Sequence, residues 1–180
     1  MNIKNHILED VKLSSSSNHD DRPENSEISL IVIHSISLPP TIFGNNYVEE
    51  FFLNKLPVTD NLYLNNIRDM KVSSHLYIKR SGEIIQFVPF DKRAWHAGQS
   101  SFEKIKNCND YSIGIELEGC EDIVFENIQY IKLSEIINTL LGNYKHLSLN
   151  RIVSHSDIAP GRKSDPGPLF DWKRLKTMIK

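Results

Sequence analysis

The chain has 180 residues, enough for one domain with its own hydrophobic core. Hydrophobic residues make up 39% and charged residues 24%, which excludes a disordered or fibrous chain. Twenty-one basic and 23 acidic side chains leave a formal net charge of -2 and no basic run, so nothing nominates a nucleic-acid partner.

The opening MNIKNHILEDVKL mixes apolar residues with Lys4, Glu9, Asp10 and Lys12 and has no apolar run of signal-peptide length. No later segment is long enough to span a bilayer, so the expectation is a cytoplasmic protein without membrane contact. Cys108 and Cys120 lack CxxC neighbours and are expected as reduced, partly buried thiols. Residues 14–27 (SSSSNHDDRPENSE) are polar, which predicts a flexible lead-in over 1–27 and a single domain over 28–180.

From Ile28, the run ISLIVIH is apolar on both parities, the pattern of a strand covered on both faces. It ends at His34, and Pro39 and Pro40 stop any continuation. A short helix is predicted over 47–56, while NLYLNNIRD carries no assignable period. VSSHLYIKR and EIIQFV read as a β-hairpin turning at Ser81-Gly82, and WHAG at 95–98 as a loop. In SIGIELE, Ile113, Ile115 and Leu117 alternate with Gly114, Glu116 and Glu118, which separates an apolar from a polar face. A helix over about 127–145 follows from the stripe Leu133, Ile136, Ile137, Leu140, Leu141 and Tyr144. A short strand at 151–154 runs into His155, the stretch IAPGRKSDPGP is irregular, and a last helix covers 171–179. Together these elements predict an α/β (α+β) domain, a central mixed β-sheet flanked by helices.

His34 and His155 stand out among seven histidines because each follows an apolar strand. Asp165 lies in a loop stiffened by Pro160, Pro166 and Pro168. Two imidazoles and a carboxylate suit a catalytic zinc with one open position. No HExxH-type signature supports the set, and satisfied core histidines with a turn-capping Asp remain the alternative. Metal-assisted hydrolysis also needs a base and an oxyanion partner. Glu116 fits the first role, with Glu118 its rival on the same face; Lys163, two residues before Asp165, fits the second. His75 and His96 are further candidates, as ligands or as neighbours that orient one.

The runs VIHSISLPP, VPFDKRAWHAG, CNDYSIGIELEG and IAPGRKSDPGP closely resemble the AmpD-type N-acetylmuramyl-L-alanine amidases, in the same order, over about Asp21 to Trp172. The resemblance implies a fold like that of peptidoglycan-recognition proteins, with one zinc ion on His34, His155 and Asp165. It also implies Glu116 as proton acceptor and Lys163 as the transition-state stabiliser. The implied partner is a small muropeptide, cut between the lactyl group of (1,6-anhydro-)N-acetylmuramic acid and L-alanine in cytoplasmic peptidoglycan recycling. Ser35, Lys71, Trp95 and His96 are then expected near it, and no obligate protein partner is implied. Ser35 stands where the family commonly has Asn, and Lys71 and Asn107 where it commonly has Arg, which weakens the expected grip on peptide carboxylates. A catalytically silent wall-binding module and an exported or phage-type amidase are the other readings. The complete His34, His155, Asp165, Glu116 and Lys163 set argues against the first, and the lack of an export signal against the second.

Overall fold

The computed structural model describes all residues 1–180. Four short strands come first: β1 (Ile3–Lys4), β2 (Ile7–Leu8), β3 (Lys12–Leu13) and β4 (His19–Asp21). β5 (Leu30–Ile36), α1 (Tyr47–Phe52), α2 (Leu62–Ile67), β6 (Leu76–Ile78), β7 (Ile84–Gln86) and β8 (Lys92–Ala94) follow. The second half holds β9 (Ser101–Phe102), β10 (Ile105–Lys106), β11 (Ser112–Glu118), α3 (Asn127–Asn143), β12 (Ile152–Ser154), α4 (His155–Ile158) and α5 (Trp172–Met178).

The main sheet runs β12-β5-β11-β6-β7-β3 and is mixed, as its sequence pattern predicts. β12, β5, β11 and β6 are mutually parallel, β7 returns antiparallel to β6, and β3 lies parallel to β7. β5 and β11 pair over their full length, from Ser112 beside Leu30 to Glu118 beside Ile36. Parallel partners in register point to the same face. Ile31, Ile33, Ile113, Ile115 and Leu117 therefore face one side, where Leu133, Ile136, Ile137 and Leu140 of α3 close the largest core cluster. The opposite face carries Val32, His34, Ser112, Gly114 and Glu116, and it is this face that lies under the cleft described below.

The expected hairpin forms with Tyr77 beside Ile85, and its turn places Gly82 at φ 86°, a conformation that favours glycine. α3 ends at Asn143, two residues short of the expected limit, with Leu141 and Tyr144 only partly buried. NLYLNNIRD, unassigned from sequence, folds as α2: Asn61 Oδ1 accepts from Leu64 N at 3.2 Å and caps its first turn. Both cysteines are free, Cys108 buried and Cys120 half-buried. No helix is long and apolar enough to cross a membrane.

Residues 1–27 depart from the expectation of a flexible lead-in. β3 extends the main sheet, β4 pairs with β8 through His19 beside Ala94, and Leu8 is 2% exposed within the α3 core cluster. Polar side chains do much of the fastening, which is why composition gives no sign of it. Asn18 Nδ2 donates to Val72 O (2.8 Å) and Asn54 Oδ1 (3.0 Å), and Ser16 Oγ to Phe52 O (2.5 Å). Arg22 donates to the carbonyls of Phe90, Asp110 and Ser112 at 3.0, 3.0 and 2.8 Å. Most of these acceptors are backbone carbonyls, and Asp110 O accepts from Ser26 Oγ as well, at 2.7 Å.

His75 is buried without exposure at the sheet's interior. Its Nδ1 accepts from Gly114 N at 3.0 Å, so the ring proton sits on Nε2 and is donated to Lys92 O at 3.0 Å. Burial, reinforced by the Arg22 charge, pushes His75 down to about 3.

Two outcomes follow from this architecture. Leu8→Ala should lower the unfolding free energy by about 2–4 kcal/mol in urea titration, whereas a loose lead-in would leave it unchanged. His75 binds its proton more readily unfolded than folded, so its effect is absent above about pH 6.5 and grows as pH falls toward 3. In chelator-treated protein, His75→Asn should flatten the fall in stability over that window by at most about 1.4 kcal/mol per pH unit.

Candidate metal centre and cleft

β5 delivers His34 and β11 delivers Glu116 side by side, because the two residues are register partners. β12 hands the chain directly to α4, whose first residue is His155. Ser154 caps that turn: its Oγ accepts from Asp157 N at 2.9 Å, and its own N–H donates to Asp157 Oδ2 at 2.8 Å. Asp165 is returned to the same place by its backbone, whose carbonyl accepts from Ser156 N at 3.1 Å. Between them, Arg162 N and Lys163 N both bond Ala159 O, curling the GRK segment over the site.

Three donor atoms converge as a result. His34 Nδ1 lies 2.9 Å from His155 Nδ1, and Asp165 Oδ2 lies 3.1 Å from each. They form a group with the make-up and proximity of a metal site, two imidazoles and one carboxylate. Burial pushes His34 down to about 4, against the pull of the Asp165 hydrogen bond, so the ring is neutral and its lone pair available at neutral pH. Burial alone would raise Asp165, but its close contacts with the His155 and His34 rings outweigh it and hold the carboxyl below its usual range. The residues present therefore fit a divalent ion with N/O preference such as zinc.

Glu116 stands beside this group with its Oε2 buried and without a hydrogen-bond partner. Burial, then the Asp165 charge, raises its proton affinity well above the usual carboxyl range, with Lys163 pulling the other way. Its rival Glu118 is otherwise engaged, accepting from Gly44 N (2.5 Å) and Arg80 N (2.9 Å). That carboxylate ties two loops together, and the free one is Glu116.

The group opens onto a cleft of about 520 Å³, a size suited to a small molecule. Lys163 and half-buried Ser35 line it, with Tyr63, Ile67 and Met70 forming an apolar wall around α2. Trp95 also lines it, half-buried, with its Nε1–H donating to Asp20 Oδ1 at 3.1 Å. Lys71 is exposed and is not part of the lining, although Met70 and Val72 on either side are.

His96 lies at the back of the cleft with both ring nitrogens taken. Nδ1 is 2.9 Å from His34 Nε2 and Nε2 is 3.1 Å from Ser112 Oγ. The ring sits over Gly114, where a Cβ would come within 2.4 Å of its Cγ. A glycine inside a strand often marks such a close approach, and that was the signal available in the sequence. Asn109 and Arg162, which hold the 96–97 segment and the GRK segment in place, carry no comparable signal.

The chain matches the N-acetylmuramoyl-L-alanine amidase family profile over residues 24–168. It is 46% identical over 178 residues to the 1,6-anhydro-N-acetylmuramyl-L-alanine amidase AmpD of Haemophilus influenzae, covering 99% of this chain and 97% of the relative. Among solved structures, the crystal structure of a selenomethionine AmpD derivative superposes with a TM-score of 0.96 at 41% identity, over 100% of both chains. The amidase AmiD from Escherichia coli, solved with anhydro-N-acetylmuramic acid-L-Ala-D-gamma-Glu-L-Lys, superposes with a TM-score of 0.62 at 31% identity. That match covers 86% of this chain and 59% of AmiD. The chain belongs to the N-acetylmuramoyl-L-alanine amidase family.

Proposed function

We propose that this protein is a zinc-dependent amidase that hydrolyses the bond between the lactyl group of 1,6-anhydro-N-acetylmuramic acid and L-alanine of the stem peptide. The observation that carries it is the convergence of His34 Nδ1, His155 Nδ1 and Asp165 Oδ2 beside the unpartnered carboxylate of Glu116. The AmpD relatives, named for cleaving anhydromuropeptides, and the muropeptide complex of AmiD support the substrate class. We further propose that it works in the cytoplasm, in recycling of wall fragments, a role that a soluble anhydromuropeptide substrate would suit.

His34, His155 and Asp165 would hold the metal. Zinc held there supplies Lewis acidity, lowering the pKa of water toward neutrality and polarising the amide carbonyl. Glu116, buried beside the group with an unpartnered carboxylate oxygen, accepts the proton of the attacking water and returns it to the departing L-alanine nitrogen. Lys163, on the cleft wall, places its ammonium against the negative charge that develops on the carbonyl oxygen. Trp95 and the α2 wall offer apolar surface to the sugar and lactyl group, and Ser35 a hydroxyl at the mouth of the site. Lys71, exposed and outside the lining, contributes at most a point charge toward a distal peptide carboxylate.

Glu116→Gln should keep its zinc and lose roughly a hundred- to ten-thousand-fold in kcat, and Lys163→Ala about a hundredfold or more. Near-normal turnover of either variant, with zinc content confirmed, removes that residue from the mechanism. His155→Ala should lose most of its bound metal on elemental analysis; full retention would rule out the ligand set. Mass spectrometry should detect release of free peptide from soluble anhydromuropeptide, and activity confined to intact sacculi would reverse the substrate assignment.

A further inference from the structure

With Nδ1 of both imidazoles turned to a metal, the hydrogen bonds behind them admit one consistent proton arrangement. For Nδ1 of His34 to offer its lone pair to a metal shared with His155 and Asp165, the single ring proton must sit on Nε2. The atom facing Nε2, at 2.9 Å, is Nδ1 of His96. His96 can accept there only with its own proton on Nε2, and Ser112 Oγ stands 3.1 Å away to receive it. On the other imidazole, His155 Nε2 lies 3.1 Å from the carbonyl oxygen of Ala97, which can only accept. That bond leaves His155 Nδ1 unprotonated and directed at the same point as His34 Nδ1.

Two adjacent residues thus provide the acceptors for both imidazoles, and their own placement is closely specified. Asn109 Oδ1 accepts from His96 N at 3.1 Å and from Ala97 N at 2.8 Å, fixing the segment from behind. Arg162 Nη2 donates to Ala97 O at 2.6 Å, joining the segment to the loop that carries Lys163 and Asp165. Gly114 leaves the slot in which the His96 ring lies, since any Cβ there would overlap it. His96 has no nitrogen left for the cleft, which argues against the substrate contact expected from sequence.

We propose that His96 and the Ala97 carbonyl, held by Asn109, are positioning groups that set the tautomer and ring orientation of His34 and His155 for metal binding. The inference rests on the zinc amidase reading. His96 acts through His34 and touches neither metal nor substrate.

Asparagine and glutamine at position 96 separate this role from simple filling of the slot. Asn carries its oxygen near the place of imidazole Nδ1, facing His34, whereas Gln carries its oxygen near Nε2, facing Ser112. Zinc affinity of the metal-free chain, read by competition with a chromophoric chelator, should fall about ten- to a hundredfold in His96→Gln and His96→Ala. His96→Asn should stay within about threefold of the parent protein, because the acceptor is retained. Long-range nitrogen–proton NMR of the zinc-loaded protein should find His34 protonated on Nε2 in the parent chain and in His96→Asn.

Equal affinities for Asn and Gln, or parental affinity in His96→Ala, would overturn the positioning role while leaving the amidase assignment standing. So would a raised KM at unchanged zinc affinity, which would return His96 to the substrate. A parent chain that neither binds zinc nor cleaves anhydromuropeptide would overturn both proposals together.

Discussion

Everything at the site depends on the in-register pairing of β5 with β11. Because the two strands are parallel and aligned along seven residues, His34 and Glu116 emerge as neighbours on one face of the sheet, with β11 buried along its length. A slip of one residue would turn every side chain of β11 over, burying Glu116 against α3 and aiming Leu117 at the cleft. The register is defended by that consequence: Ile113, Ile115 and Leu117 fit only the helical side, where the largest core cluster forms. Hydrophobic burial on one face of the sheet thereby determines the geometry of polar chemistry on the other.

The polar face is electrostatically expensive. Two imidazoles and two carboxylates gather where burial works against charge, pushing His34 down to about 4 and Glu116 well above its usual range. Glu116 and Asp165 repel each other, with Lys163 as the cationic counterweight within reach. A divalent cation at the convergence point would reverse the sign of that balance, which is the usual physical logic of a prebuilt site. The sheet and short caps such as Ser154–Asp157 hold these groups together without a ligand.

The placement of the candidate site residues was legible in the sequence to a greater degree than their surroundings. His34 and His155 followed apolar runs, the alternation of SIGIELE isolated Glu116, and the long helix declared its buried stripe. Each of these signals is periodic, and periodicity survives in one dimension. What escaped was fastening by polar side chains. Asn18, Arg22 and Asn109 look like ordinary surface residues until their carbonyl and amide partners, dozens of positions away, are known. Residues 1–27 look like a flexible lead-in for the same reason, since their attachment rests on hydrogen bonds and on a few scattered apolar anchors, Ile3, Leu8 and Val11. Composition also could not rank Glu116 over Glu118; only the two backbone donors occupying Glu118 do so.

The missing side chain at position 114 has a consequence for how this chain can vary over evolutionary time. Any residue larger than glycine there meets the imidazole of His96, so neither position is free while the other keeps its present identity. Exchange of His96 for a small residue would open the slot and release position 114 from its restriction. The two sites, 18 positions apart and on different elements, form an epistatic pair whose allowed states are set by one shared volume. Lineages of such domains that have abandoned metal chemistry should therefore drift at both positions together, leaving a correlated scar in the strand as well as in the loop.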